Sequence, residues 1–136
     1  QVCMRMAPPV FPGKKDDGIL WVGNQAGQWK GVTLYTAAWL NDFCVTVGST
    51  VLLHGQKGEE DYIARVVRLF ERNRDGAKMA KCQWFYRGKE TVLGERKSKT
   101  GLNESELFLS HSQDENSLTT IVGLCNVVAG FLIKDV

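Results

Sequence analysis

The residues of this chain best suited to chemistry are aromatic. Cys82-Gln83-Trp84-Phe85-Tyr86 form a run in which a β-strand would turn Cys82, Trp84 and Tyr86 to one face and Gln83 and Phe85 to the other. Tyr62 opens an earlier apolar stretch, and Asp75-Gly76 between the two is a hairpin signal. A hairpin closed there brings Tyr62, Trp84 and Tyr86 to one end of a sheet. Three electron-rich rings around a gap attract a methylated ammonium through cation–π interaction and exclude water from it. An acidic residue at the rim adds charge attraction and accepts a hydrogen bond from a mono- or dimethyl ammonium. Glu90 and Asp114 are candidates. The same alternation also suits core packing with hydrogen-bonded ring tips. Trp21, Trp29, Trp39 and Phe70 are expected to be core or loop anchors.

Nucleophilic and metal chemistry have less to build on. Cys3, Cys44, Cys82 and Cys125 include no close pair, whereas zinc sites usually draw ligands from pairs on one turn. Cys82 and Cys125 lie in apolar segments, where a reduced thiol behaves as a small hydrophobe, and this favours an intracellular, reducing compartment. Neither His54 nor His111 is marked as a general base, and no phosphate loop, paired-histidine helix or nucleophile elbow is present. We expect no enzyme, no catalytic residue, no metal and no cofactor.

The elements around the aromatic run read as strands. Ile19–Val22 is a short apolar strand before Gly23-Asn24, and Leu34–Phe43 suits a strand or a short helix. Thr46–Leu53 is β-branched, with a kink at Gly48-Ser49. Tyr62–Glu71 and Lys78–Arg87 are the arms of a hairpin turning at Asn73–Gly76. Glu106–Ser110 is short and apolar, and Thr119–Val128 reads as a last long strand. All three prolines fall in residues 1–18, which predicts an irregular N-terminal arm. The domain proper is placed at 19–136. Short strands joined by glycine-bearing and charged loops make a mainly β domain with a barrel or sandwich core.

Composition fits one domain of 136 residues, with 43% hydrophobic and 24% charged residues. A net charge of +2 does not suit a dedicated phosphate-backbone binder. No apolar run approaches the ~18 residues that would span a bilayer as a helix, so no membrane partner is expected. The first residue is Gln1, and we read the chain as a piece of a larger protein.

The chain resembles the bromo-adjacent homology (BAH) domain. The likeness is carried by VTVGSTVLL at 45–53, YIARVVRLFE at 62–71, QWFYRGKETVLGER at 83–96, ELFLS at 106–110 and DENSLTTIVGLCNVV at 114–128, in that order. The resemblance implies a distorted β-barrel with short helical segments and long loops. Some members of this family dock other proteins, and others read methylated histone lysines. Trp84-Phe85-Tyr86, Glu90-Thr91, Gly94 and Arg96 are most similar to the Polycomb-pathway readers of trimethylated lysine 27 of histone H3.

Carried over by position, the resemblance makes Tyr62, Trp84 and Tyr86 the methyl-lysine cage and Glu90 its rim. It gives Asp114 a peptide contact, and it places on Ser112 a position where those readers have histidine, with His111 one residue earlier. It implies a nuclear chromatin reader acting in gene silencing, with histone H3 trimethylated at lysine 27 as the favoured partner. Dimethylated lysine 20 of histone H4 and methylated lysine 9 of histone H3 are alternatives. A docking module indifferent to methylation is a further one, with the basic loop 87–99 as a candidate contact to nucleosomal DNA.

Overall fold

The computed structural model describes residues 2–6, 18–87 and 106–131, with side chains described over 18–87 and 107–127. The regular structure is almost all strand. β1 is Val2–Met6, β2 Ile19–Val22, β3 Gly27–Trp29, β4 Val32–Tyr35, β5 Ala37–Leu40 and β6 Phe43–Thr46. β7 is Thr50–Leu53, β8 Tyr62–Arg72, β9 Lys78–Arg87, β10 Glu106–Ser117, β11 Ile121–Cys125 and β12 Val127–Phe131. A 3-10 turn at Leu118–Thr120 separates β10 from β11.

The larger sheet runs β11-β7-β8-β9-β10-β1-β12, with β4 also paired to β8 and β3 to β4. The smaller runs β2-β5-β6. β11 and β12 stand at opposite ends of the larger order, yet Asn126 alone separates them in the chain. The sheet must therefore curl until one edge approaches the other, which gives the mainly β, barrel-like architecture expected.

β8 organises this sheet. Its first half pairs with β7, Tyr62 opposite Leu53 and Arg65 opposite Thr50. Its second half pairs with β4, Leu69 opposite Tyr35 and Arg72 opposite Val32. The switch falls where the Gly48 amide donates to the Val66 carbonyl at 2.8 Å and the Val66 amide to the Ser49 carbonyl at 2.8 Å. Gly48 has φ +98, a left-handed conformation that glycine adopts without a Cβ penalty. The kink expected at Gly48-Ser49 is this junction.

One core cluster joins Ala38, Leu40, Phe43 and Val45 of the smaller sheet to residues of the larger one, among them Val66, Leu69 and Cys82. The second gathers Leu52, Ile63, Phe85, Leu107 and Cys125. Burial on two faces explains the unbroken apolar run Val51–Leu53. Burial, the dominant effect, pushes the Cys82 and Cys125 thiols up to about 11.

The structure settles one open reading and revises others. Leu34–Phe43 is strand throughout its regular parts, in β4, β5 and the start of β6. β10 continues through the polar residues to Ser117, and Thr119–Val128 is divided between the 3-10 turn, β11 and β12. Within the stretch expected to be an irregular arm, Val2–Met6 form β1, hydrogen-bonded between β10 and β12. The prolines that suggested irregularity all follow β1, so nothing prevents those backbone groups from joining the ladder. Trp29 and Trp39 are 48% and 44% exposed and are not core anchors. Phe70 is buried, and Trp21 stacks on Tyr35 with centroids 4.3 Å apart and donates to Glu71 Oε1 at 2.9 Å.

Candidate functional site

Tyr62 begins β8, and Trp84 and Tyr86 lie near the end of β9. The hairpin register sets Ala64 opposite Trp84 and Ile63 opposite Phe85. Side-chain alternation sends Phe85 into the second core cluster and leaves Tyr86 37% exposed. Trp84 is half-buried, packing one side against the first cluster. Its ring meets Tyr62 edge to face, with centroids 5.9 Å apart and planes at 73°. Tyr62 is also 37% exposed. Tyr62, Trp84 and Tyr86 line one open cleft of about 540 Å³, together with Ser112, Asp114 and the strand residues Phe85 and Arg87.

A bulge in β10 brings in the polar residues. Leu109 pairs with Phe85 and Gln113 with Gln83, so Ser110, His111 and Ser112 together face the single residue Trp84. Gln83 Nε2 donates to the Ser110 carbonyl at 2.6 Å, and the Ser112 amide donates to Ser110 Oγ at 3.1 Å. The first bond holds the bulge against β9, and the second braces it from within. Register resumes at Gln113, which sets Asp114 opposite Cys82. From there the Asp114 carboxylate accepts the Trp84 indole N–H at 2.7 Å, which fixes both groups at the cleft.

Of the expected site residues, Tyr62, Trp84, Tyr86, Ser112 and Asp114 come together. His111 lies on the exposed bulge but not in the cleft wall. Glu90 and most of the basic loop 87–99 lie outside the described residues.

Sequence reading missed the acidic segment before Tyr62. Tyr62 Oη donates to Glu59 Oε2 at 2.8 Å. The Arg87 guanidinium pairs with Glu60 Oε2 at 2.8 Å and donates to the Asp61 carbonyl at 3.0 Å. Asp61 Oδ1 in turn accepts the Gly55 amide at 3.0 Å. A Cβ on Gly55 would collide with the Glu60 carbonyl oxygen, so this close approach requires glycine. The signal available was Glu59-Glu60-Asp61 directly preceding Tyr62.

Chemically, the cleft offers aromatic faces with fixed carboxylates at two points, Glu59 on Tyr62 and Asp114 on Trp84. Such a site favours a bulky, weakly hydrated cation over a neutral or anionic group.

The model of the BAH domain family matches residues 44–133. The chain is 32% identical over 110 residues, 80% of its length, to DNA (cytosine-5)-methyltransferase 1B of Oryza sativa subsp. japonica. It is 29% identical over 94 residues, 69% of its length, to DNA (cytosine-5)-methyltransferase CMT2 of the same plant. It is 36% identical over 84 residues, 61% of its length, to Chromatin remodeling protein EBS of Arabidopsis thaliana. These matches span 7% of each methyltransferase and 34% of the remodeling protein.

Proposed function

The chain belongs to the BAH domain family, and on that premise we propose that it is a non-catalytic chromatin reader module that holds a methylated histone lysine between Tyr62, Trp84 and Tyr86. The observation that carries this reading is the exposure of the rings. Tyr62 and Tyr86 each keep 37% of their surface in water beside the half-buried Trp84, so the trio is not consumed by core packing. Asp114, fixed by Trp84, has a second carboxylate oxygen to offer the peptide, and Ser112 stands beside it in the cleft wall.

Trimethylated lysine 27 of histone H3 is the first candidate, because Trp84-Phe85-Tyr86 and the following residues resemble readers of that mark. A nuclear location and a role in gene silencing go with it. Cation–π contact contributes about 0.5–2 kcal/mol per ring, and ordering an extended peptide offsets part of the total, so dissociation constants on the order of micromolar are expected.

The test is titration of the chain with unmodified and methylated histone peptides, using wild type, Trp84→Ala and Tyr86→Ala. Methyl-dependent binding that falls at least about fivefold in both folded variants supports the reading. Equal binding of methylated and unmodified peptides sinks it in favour of methyl-independent docking. Preference for lysine 9 of histone H3 or lysine 20 of histone H4 replaces the mark and leaves the cage. Ser112→His should strengthen binding to the lysine-27 peptide if a histidine there improves the contact.

A further inference from the structure

The outer face of β8 and β9 carries a second feature, separate from the cleft's aromatic wall. β3 and β4 are joined by the turn Trp29-Lys30-Gly31-Val32, whose central residues have φ 45 and 82. Positive φ at both positions is what a type I′ turn requires, and asparagine or glycine suits the first of them with least strain. Lysine there pays a conformational penalty that its hairpin does not need. What the lysine gains is position: its ammonium lies 4.9 Å from the centroid of the Trp29 ring.

A second cation meets the same ring. The Arg68 guanidinium carbon lies 4.7 Å from the Trp29 centroid. Two like charges on one indole sit within about 10 Å of each other, the Debye length at 0.1 M salt, and therefore repel. The register adds a third, because Lys81 is the strand partner of Arg68. Arg65 continues the row, with its guanidinium carbon 5.9 Å from the Phe85 centroid. Among the described residues, none of Lys30, Arg65, Arg68 and Lys81 forms an ion pair. Glu115 is the strand partner of Lys81 and offsets part of its charge without forming an ion pair with it, and the Glu71 carboxylate is engaged by Trp21.

We propose that Lys30, Arg65, Arg68 and Lys81, with Trp29 as a stacking platform, form a docking surface for the phosphate backbone of duplex DNA. Four gathered cations without ion pairs complement a run of phosphates, and a polyanion relieves their mutual repulsion while releasing its own counterions. An indole flanked by cations meets a sugar–phosphate edge without selecting a base, so the contact is indifferent to sequence. The near-balanced total charge of the chain hides this surface, because its acidic counterpart is concentrated at Glu59-Glu60-Asp61 by the cleft.

The experiment measures binding of the chain to a short, random-sequence DNA duplex by fluorescence anisotropy across 50–200 mM salt. Four phosphate contacts give a log–log slope of about −3 to −4. Lys30→Gly, which relieves the turn while removing the charge, combined with Arg68→Ala should reduce the slope by about 2. Arg74→Ala, in the β8–β9 turn, should leave it unchanged. Methyl-peptide affinity of the double variant should equal wild type, so failure here is distinguishable from failure of the cage. Absence of duplex binding at 50 mM salt overturns the proposal, as does a slope unaltered by the double substitution. Capture of polyglutamate in preference to DNA through the same residues also overturns it and makes the surface a site for acidic protein.

Discussion

Trp84 donates its indole N–H to Asp114 at 2.7 Å across a three-residue bulge in the neighbouring strand. The ring and the carboxylate are thus one unit: neither turns without the other. This coupling separates two roles of Asp114 that substitutions can resolve.

Asp114→Asn keeps an acceptor for the indole and removes the charge, whereas Asp114→Ala removes both. Methyl-peptide affinity should fall about 10–150-fold in the alanine variant, the worth of a hydrogen bond to a charged group of about 1.5–3 kcal/mol, with asparagine intermediate. Isothermal titration of the folded variants checks this. An asparagine variant equal to wild type would show that the charge takes no part.

Tyr62→Phe deletes the hydroxyl that reaches Glu59 and retains the ring. Peptide affinity should change by less than about threefold, whereas Tyr62→Ala should cost roughly as much as Trp84→Ala, since the aromatic face carries the attraction. A phenylalanine variant as weak as alanine would move the decisive contact from the ring to the Tyr62–Glu59 pair.

Gly55→Ala places a methyl group against the Glu60 backbone carbonyl. The segment from Gly55 to Asp61 must shift, at about 1–3 kcal/mol of stability for overpacking a fitted site. Urea denaturation reads the loss. The Arg87–Glu60 pair should weaken with it, and unchanged stability would mean that the segment yields freely.

Of Cys44, Cys82 and Cys125, Cys44 should react first with a thiol reagent at neutral pH, because burial holds the other two protonated. Their folded-state values are raised from 9.0 to about 11. The folded state therefore binds those protons more tightly than the unfolded chain. The associated stability is fully present below pH 9.0 and is lost as pH rises toward about 11. Peptide mapping after brief labelling, and denaturation midpoints across that window, test both points. Labelling of Cys82 ahead of Cys44 would contradict the burial.

The hairpin that builds the cleft is legible in sequence because its turn chemistry is local. Asp75 Oδ1 accepts the Ala77 amide at 3.0 Å, and Asp75 pairs with Arg72 at 3.1 Å. That amide bond, helped by Arg72, holds the carboxyl below its usual range. Gly76 takes φ 72 as the turn requires. The β10 bulge is not legible, since Ser110-His111-Ser112 has no strand period and its register is held by Gln83, 27 residues away. The same difficulty hides β1, whose partners lie more than a hundred residues along the chain. Trp29 reads from its type alone as a core or loop anchor. Its cationic neighbours, one of them brought by β8, make it a surface residue.

Trp84 and Phe85 are consecutive, yet each packs against a different core cluster. This ties ligand preference to evolvability. The Trp84 ring is held by Asp114 and the core in the free protein, so a ligand seated on it would cost the ring little rotational entropy. A substitution at either position disturbs the interior along with the cleft. Divergence in what such a module reads is therefore channelled to Glu59, Tyr86 and Ser112, which reach the rim without bearing on either core.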